Sequence, residues 1–82
     1  MNTEDIERKV KNVIASKLNI NINDIGYTSL LVKDLGVDSF GGIQLLFDLK
    51  EEFEVDIPIE DLKKIENVGD IVQCIHSKLS TE

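Results

Sequence analysis

The side chain best placed to do chemistry in this sequence is the hydroxyl of Ser39, within the run Asp34-Leu35-Gly36-Val37-Asp38-Ser39-Phe40. Gly36 can end an irregular stretch, and an apolar-periodic segment follows as far as Phe53, so Ser39 falls at the start of a helix. There Asp38 or Ser39 can accept a hydrogen bond from a first-turn N–H. The free N–H groups of such a turn, together with the positive end of the helix dipole, favour a phosphate group, either bound or covalently attached. An Asp-Ser pair before a helix is also an ordinary cap, so these two residues alone do not separate capping from modification.

No second constellation competes with it. Cys74 and His76 are two positions apart, and residues at that spacing on a helix do not face each other, so they form no nucleophile–base dyad. His76 is expected at the surface, and Cys74 buried or half-buried as a small apolar residue. A single cysteine makes no internal disulfide, and neither a CxxC pair nor another metal-ligand spacing occurs. Asn19, Asn21 and Asn23 imitate the first ligands of an EF-hand loop, but Asp24 stands where glycine is needed and Leu30 where a bidentate glutamate belongs. With no nucleophile–base pair, metal cluster or cofactor loop, the chain is read as a non-enzyme.

The elements that must position Ser39 follow from hydrophobic periodicity. Ile6, Val10, Val13, Ile14 and Leu18 predict a first helix over residues 3–18, with Thr3 as N-cap and Glu4, Asp5 and Glu7 loading its start with negative charge. Residues 19–37 read as a long loop, pinned to the core by Ile20, Ile22, Ile25, Leu31 and Val32. A second helix over 39–53 places Leu45, Leu46, Leu49 and Phe53 on a core stripe with Ile43 at its border. Phe40 and Phe47 fall together on another side among Gln44, Asp48 and Glu51, a candidate docking patch if they are not folded under a neighbouring segment. Pro58 stops that helix before Ile57, and 59–65 can make only a short, weakly stable third helix. Asn67 can cap a fourth, with Asp70 three positions on and Val68, Ile71, Val72, Ile75 and Leu79 as its stripe. The expected fold is all-α, a small four-helix bundle of three main helices and a short third one, with the long loop between the first two.

Composition bounds the partners. At 82 residues the chain is read as one domain over 1–82, near the size at which a single core is just adequate, and three Phe, one Tyr and no Trp leave that core to Ile, Leu and Val. A formal net charge of −7 disfavours nucleic acid and anionic membranes and favours basic protein surfaces. The polar N-terminus shows no signal peptide or membrane span, so the expectation is a cytoplasmic monomer.

Leu31-Val32-x-Asp34-Leu35-Gly36-x-Asp38-Ser39-Phe40, followed by Ile43, Leu45, Leu46, Leu49, Glu51-Glu52-Phe53 and Ile57-Pro58, resembles the acyl carrier protein family from about Ile6 to Leu79. The resemblance implies that Ser39 carries 4'-phosphopantetheine donated by coenzyme A. A phosphopantetheinyl transferase and a divalent metal would attach it, with Asp38 supporting their engagement, and the arm's thiol would hold acyl groups as thioesters. Acyl-loading, synthase and acyltransferase enzymes with basic surfaces are then the partners, docking on Phe40, Phe47, Asp48 and Glu51. Phe40 replaces the usual leucine or methionine, and Gly41 and Gln44 stand where fatty-acid-type carriers commonly show acidic residues. The pathway therefore stays open among fatty acid, specialised lipid and polyketide synthesis. A stand-alone aminoacyl or peptidyl carrier is the alternative, and a non-covalent helical adaptor a further one. Two expectations concern the bundle itself: a cavity for the acyl chain lined by Leu46, Leu49, Leu62, Ile65 and Ile71, and a loosened first turn at Gly41-Gly42.

Overall fold

A computed structural model of the chain describes residues 2–80. Three α-helices, α1 (Thr3–Leu18), α2 (Ser39–Phe53) and α3 (Val68–Ser80), are joined by segments that each hold a 3-10 helix, Ile22–Asp24 in the first and Ile59–Lys64 in the second. Among the described residues the only strand-like pairing is an isolated bridge between Leu30 and Asn67. The architecture is the expected all-α bundle with a short third helix, which proves to be of the tighter 3-10 kind, suited to a segment too brief for stable α-turns.

The ends of α1 correct one expectation. Its cap is Asn2, not Thr3: the Asn2 side chain accepts from the Asp5 N–H at 2.8 Å, so Thr3 becomes the first helical residue. An Asx side chain one position upstream fits the extended backbone of a cap and reaches the third helical N–H. The helix closes at Asn19, in the left-handed region at φ 56°. α2 ends in the same way at Glu54, φ 54°, before Pro58 is reached.

Ile6, Val10 and Ile14 of α1 meet Leu45, Leu46, Leu49 and Phe53 of α2 and Val68, Ile71, Val72 and Ile75 of α3 in one apolar core, with no buried polar residue among the described ones. Ile25, Leu31 and Val37 bring the long loop into it. Val32 does not join them; it is 71% exposed. Leu31 is held inward by its N–H to the Glu66 carbonyl and by its own carbonyl accepting from Val37, and the next residue turns out to solvent. His76 is half-buried where a surface position was expected.

Candidate functional site

The turn before α2 is tightly tied. Asp34 and Leu35 donate to the Leu30 carbonyl at 2.9 and 3.1 Å, and Gly36 to Val32 at 3.2 Å. Val37 donates to Leu31 at 2.8 Å, and the Asp34 carboxylate accepts from the Leu30 N–H at 2.7 Å. Gly36 closes this turn at φ +72°, a conformation that glycine adopts without strain. Buried Val37 then anchors the chain one residue before the cap.

Asp38 is that cap. Its Oδ1 accepts from the Gly41 N–H at 2.6 Å, and its carbonyl from Gly42 at 2.8 Å. Ser39 is therefore the first residue of α2, and it is exposed. Neither its hydroxyl nor the N–H groups of Ser39 and Phe40 have a hydrogen-bond partner among the described residues. An open hydroxyl beside two unpaired donors and the helix dipole fits a phosphate ester on Ser39 Oγ. No described side chain hydrogen-bonds that hydroxyl. Asp38 is one carboxylate, and among the described residues no group of three or more His, Cys, Asp or Glu side chains could hold a metal ion.

The two glycines beyond Ser39 differ. A Cβ on Gly41 would fall 2.9 Å from Asp38 Oδ1, against the cap itself. Gly42 is buried, and a Cβ there would meet the Leu62 methyls at 3.6 and 3.7 Å and Val37 Cγ1 at 3.8 Å. Gly42 is thus packed beneath the 3-10 helix, whatever looseness the pair lends the turn.

Phe40 and Phe47 lie on the exposed side of α2, 70% and 50% accessible, with exposed Glu51. The acidity expected around them is partly cancelled within the molecule. Asp48 pairs with Lys17 of α1 at 3.0 Å, and the same ammonium donates to Gln44 Oε1 at 3.4 Å. Lys50 lies over the Phe47 ring, 5.6 Å from its centroid, and pairs with Asp56 at 3.5 Å. Lys17 is the residue sequence reasoning missed; it acts from a different helix, and no local pattern announces it.

Beneath the start of α2 is an apolar cavity of about 10 Å³, at the threshold for a single water. Leu46, Leu49, Leu62, Ile65 and Ile71 line it, the five residues expected, joined among others by Gly42 and Cys74. The Cys74 thiol donates to Asp61 Oδ2 at 3.7 Å. Burial, and then the Asp61 charge, push its pKa above the ordinary thiol value. Lys78 pairs with the same carboxylate at 3.1 Å, and that hydrogen bond raises the ammonium's pKa.

A small helical bundle with an exposed serine at the first position of a helix is compatible with a carrier of an attached group. The comparisons agree. The family described as "Phosphopantetheine attachment site" matches residues 8–75. A protein of Thermotoga maritima called "Acyl carrier protein" is 41% identical over 76 residues, 93% of this chain and 94% of the relative. Proteins of the same name from Clostridium acetobutylicum and Clostridium perfringens are 40% and 42% identical over 67 residues, 82% of this chain and 87% and 88% of theirs. The chain belongs to the acyl carrier protein family, with a domain of the kind to which 4'-phosphopantetheine is attached. It is a carrier, not an enzyme.

Proposed function

We propose that this chain, as one carrier domain over 1–82, holds acyl intermediates as thioesters on a 4'-phosphopantetheine arm attached to Ser39. The observation that carries the reading is the exposed Ser39 at the first position of α2, within the stretch 8–75 that matches the phosphopantetheine-attachment family, with its hydroxyl and the N–H groups of Ser39 and Phe40 unpartnered among the described residues. When attached, the arm supplies the thiol that holds the cargo. Asp38 fixes the turn through the Gly41 N–H and leaves its second oxygen free to engage the transferase and its metal. Phe40, Phe47 and Glu51 supply the exposed face for the transferase and for acyl-loading, synthase and acyltransferase enzymes, and Asp48 supports it from its pair with Lys17. Basic groups on those partners complement a chain of net charge −7.

Acyl rather than aminoacyl cargo is supported by the name borne by the matched relatives and by the apolar cavity under α2. A cavity of about 10 Å³ has no room for an acyl chain as it stands, so an entering chain must part the helices around it. The place of work is fatty acid, specialised lipid or polyketide synthesis in the cytoplasm. Among the described residues no helix is long and apolar enough to cross a membrane. The experiment is a loading competition. Protein converted to the phosphopantetheinyl form is offered malonyl-coenzyme A with a malonyl transferase, and separately amino acids with an ATP-dependent adenylating enzyme, with intact mass as readout. Malonyl loading without aminoacyl loading is expected. The reverse result would make it an aminoacyl or peptidyl carrier.

A further inference from the structure

The 3-10 helix Ile59–Lys64 forms one wall of the apolar cavity through Leu62, with Ile65 just beyond it, yet little in its own sequence holds it in place. It is six residues long, Pro58 begins it without a side-chain cap, and none of its residues is buried. Toward α2 its hold is apolar, with Leu62 packed over the vacant side of Gly42. Toward α3, Leu62 and Ile65 share the apolar cavity with Ile71 and Ile75, and the polar part of the hold converges on one side chain. Asp61 Oδ2 accepts from the Cys74 thiol at 3.7 Å and pairs with Lys78 Nζ at 3.1 Å. The Asp61 and Lys78 side chains are 21% and 32% exposed, so solvent shields this pair less than it does Arg8–Asp5, at 69% and 44%. Cys74 also lines the cavity.

We propose that Asp61 is a latch: its carboxylate fastens the short 3-10 helix to α3, and its release lets that helix swing off the cavity while α1, α2 and α3 stay packed. The buried core does not depend on the latch, since the residues of Ile59–Lys64 contribute none of its fully buried side chains. An element held by a few contacts opens locally at a lower free energy than the whole fold. One consequence, that the latch sets how easily an acyl chain enters, rests on the carrier reading; the latch itself does not.

The test uses the full chain without its prosthetic group, so that a failed latch and a failed carrier reading are told apart. Asp61→Asn keeps the shape and removes the charge, and Glu60→Gln, at an exposed neighbour in the same helix, is the control. Amide exchange is followed by NMR at Asp61 and Ile65, whose N–H groups donate to Pro58 and Leu62 at 3.0 and 3.2 Å. Both amides should exchange about 3- to 10-fold faster in Asp61→Asn, the size expected for loss of a half-shielded charged contact, with Ile14 and Ile75 unchanged. Alkylation of Cys74 is the second measurement. Its rate constant is taken from the high-pH plateau, where the variant's altered thiol acidity drops out, and it should rise by a similar factor. Unchanged exchange and alkylation would overturn the latch, and so would equal acceleration in Ile14 and Ile75, because the contact would then be supporting the whole bundle.

Discussion

The starts of α2 and α3 use the same capping chemistry and reach opposite ends. At α3, Asn67 Oδ1 accepts from the Asp70 N–H at 2.8 Å, and Asp70 Oδ2 returns the favour to the N–H groups of Glu66 and Asn67 at 2.9 and 3.2 Å. The loop then covers what remains: Val68 donates to the Ser29 carbonyl at 3.1 Å and Gly69 to Tyr27 at 2.8 Å. At α2, Asp38 satisfies the third N–H, as Asn67 does in α3, but the first and second, on Ser39 and Phe40, meet no described acceptor. Helices leave several orphan donors at their start, and α1, capped by Asn2 in the same way, also leaves those of Thr3 and Glu4 without a described acceptor, so open donors alone do not mark a site. The contrast is that the loop closes the start of α3, whereas the start of α2 stays open with an exposed serine at its first position.

The second helical position gives the largest expected contrast. Gly69 carries the Tyr27 ring directly on its Cα, so that a Cβ would lie 2.8 Å from ring Cδ1 and Cζ, whereas Phe40 at the same position of α2 is 70% exposed. Gly69→Ala should cost about 1–3 kcal/mol in a denaturant titration through overpacking. Phe40→Ala should stay within about 0.5 kcal/mol of wild type in the same titration, as surface changes do, and yet lower the transferase rate. Equal destabilisation by the two would erase the distinction between a closed and an open start.

The caps themselves come next. Asn67→Ala should lose about 1 kcal/mol, because its lost acceptor strands a part-buried N–H. Asp38→Ala should lose about 0.5–1 kcal/mol at an exposed cap while slowing attachment about 10-fold or more, since the turn that presents Ser39 is no longer fixed. Melts and attachment rates on the same samples separate the two effects.

The smallest effects concern charge. Glu51→Lys should weaken partner turnover severalfold at low ionic strength, and the loss should fade toward wild type above about 0.5 M salt, where exposed charges are screened. Asp48→Lys should act less directly, because that carboxylate is already held by Lys17. Phe47→Ala should show its loss at every salt concentration, apolar burial being unscreened. A salt-independent Glu51→Lys defect would remove charge steering from this face.

Much of this was legible in the sequence. Period-3.6 stripes gave all three α-helices, and the Asn67/Asp70 spacing gave the closed start, because both signals are local. The run around Ser39 placed the open start through Gly36 and Asp38. What stayed hidden was set by contacts across the chain. Tyr27 against Gly69, Lys17 against Asp48 and Asp61 against Lys78 join residues with no fixed spacing. Val32 was misplaced for a similar reason: an apolar residue in a loop has no period to say which way it faces, and only the Leu31 hydrogen bonds decide it.

The central claim, that the open start of α2 is where the arm is attached, is tested most directly by intact mass followed by peptide mapping. Wild type, Ser39→Ala and Ser29→Ala are each incubated with coenzyme A, magnesium and a broad-specificity phosphopantetheinyl transferase. Ser29 is the control because its carbonyl and hydroxyl serve the closed region, accepting from Val68 and Gly26 at 3.1 and 2.8 Å. The account predicts one phosphopantetheinyl group on wild type and on Ser29→Ala, mapped to the peptide bearing Ser39, and none on Ser39→Ala. A group retained by Ser39→Ala, or absent from a folded wild type, would contradict it.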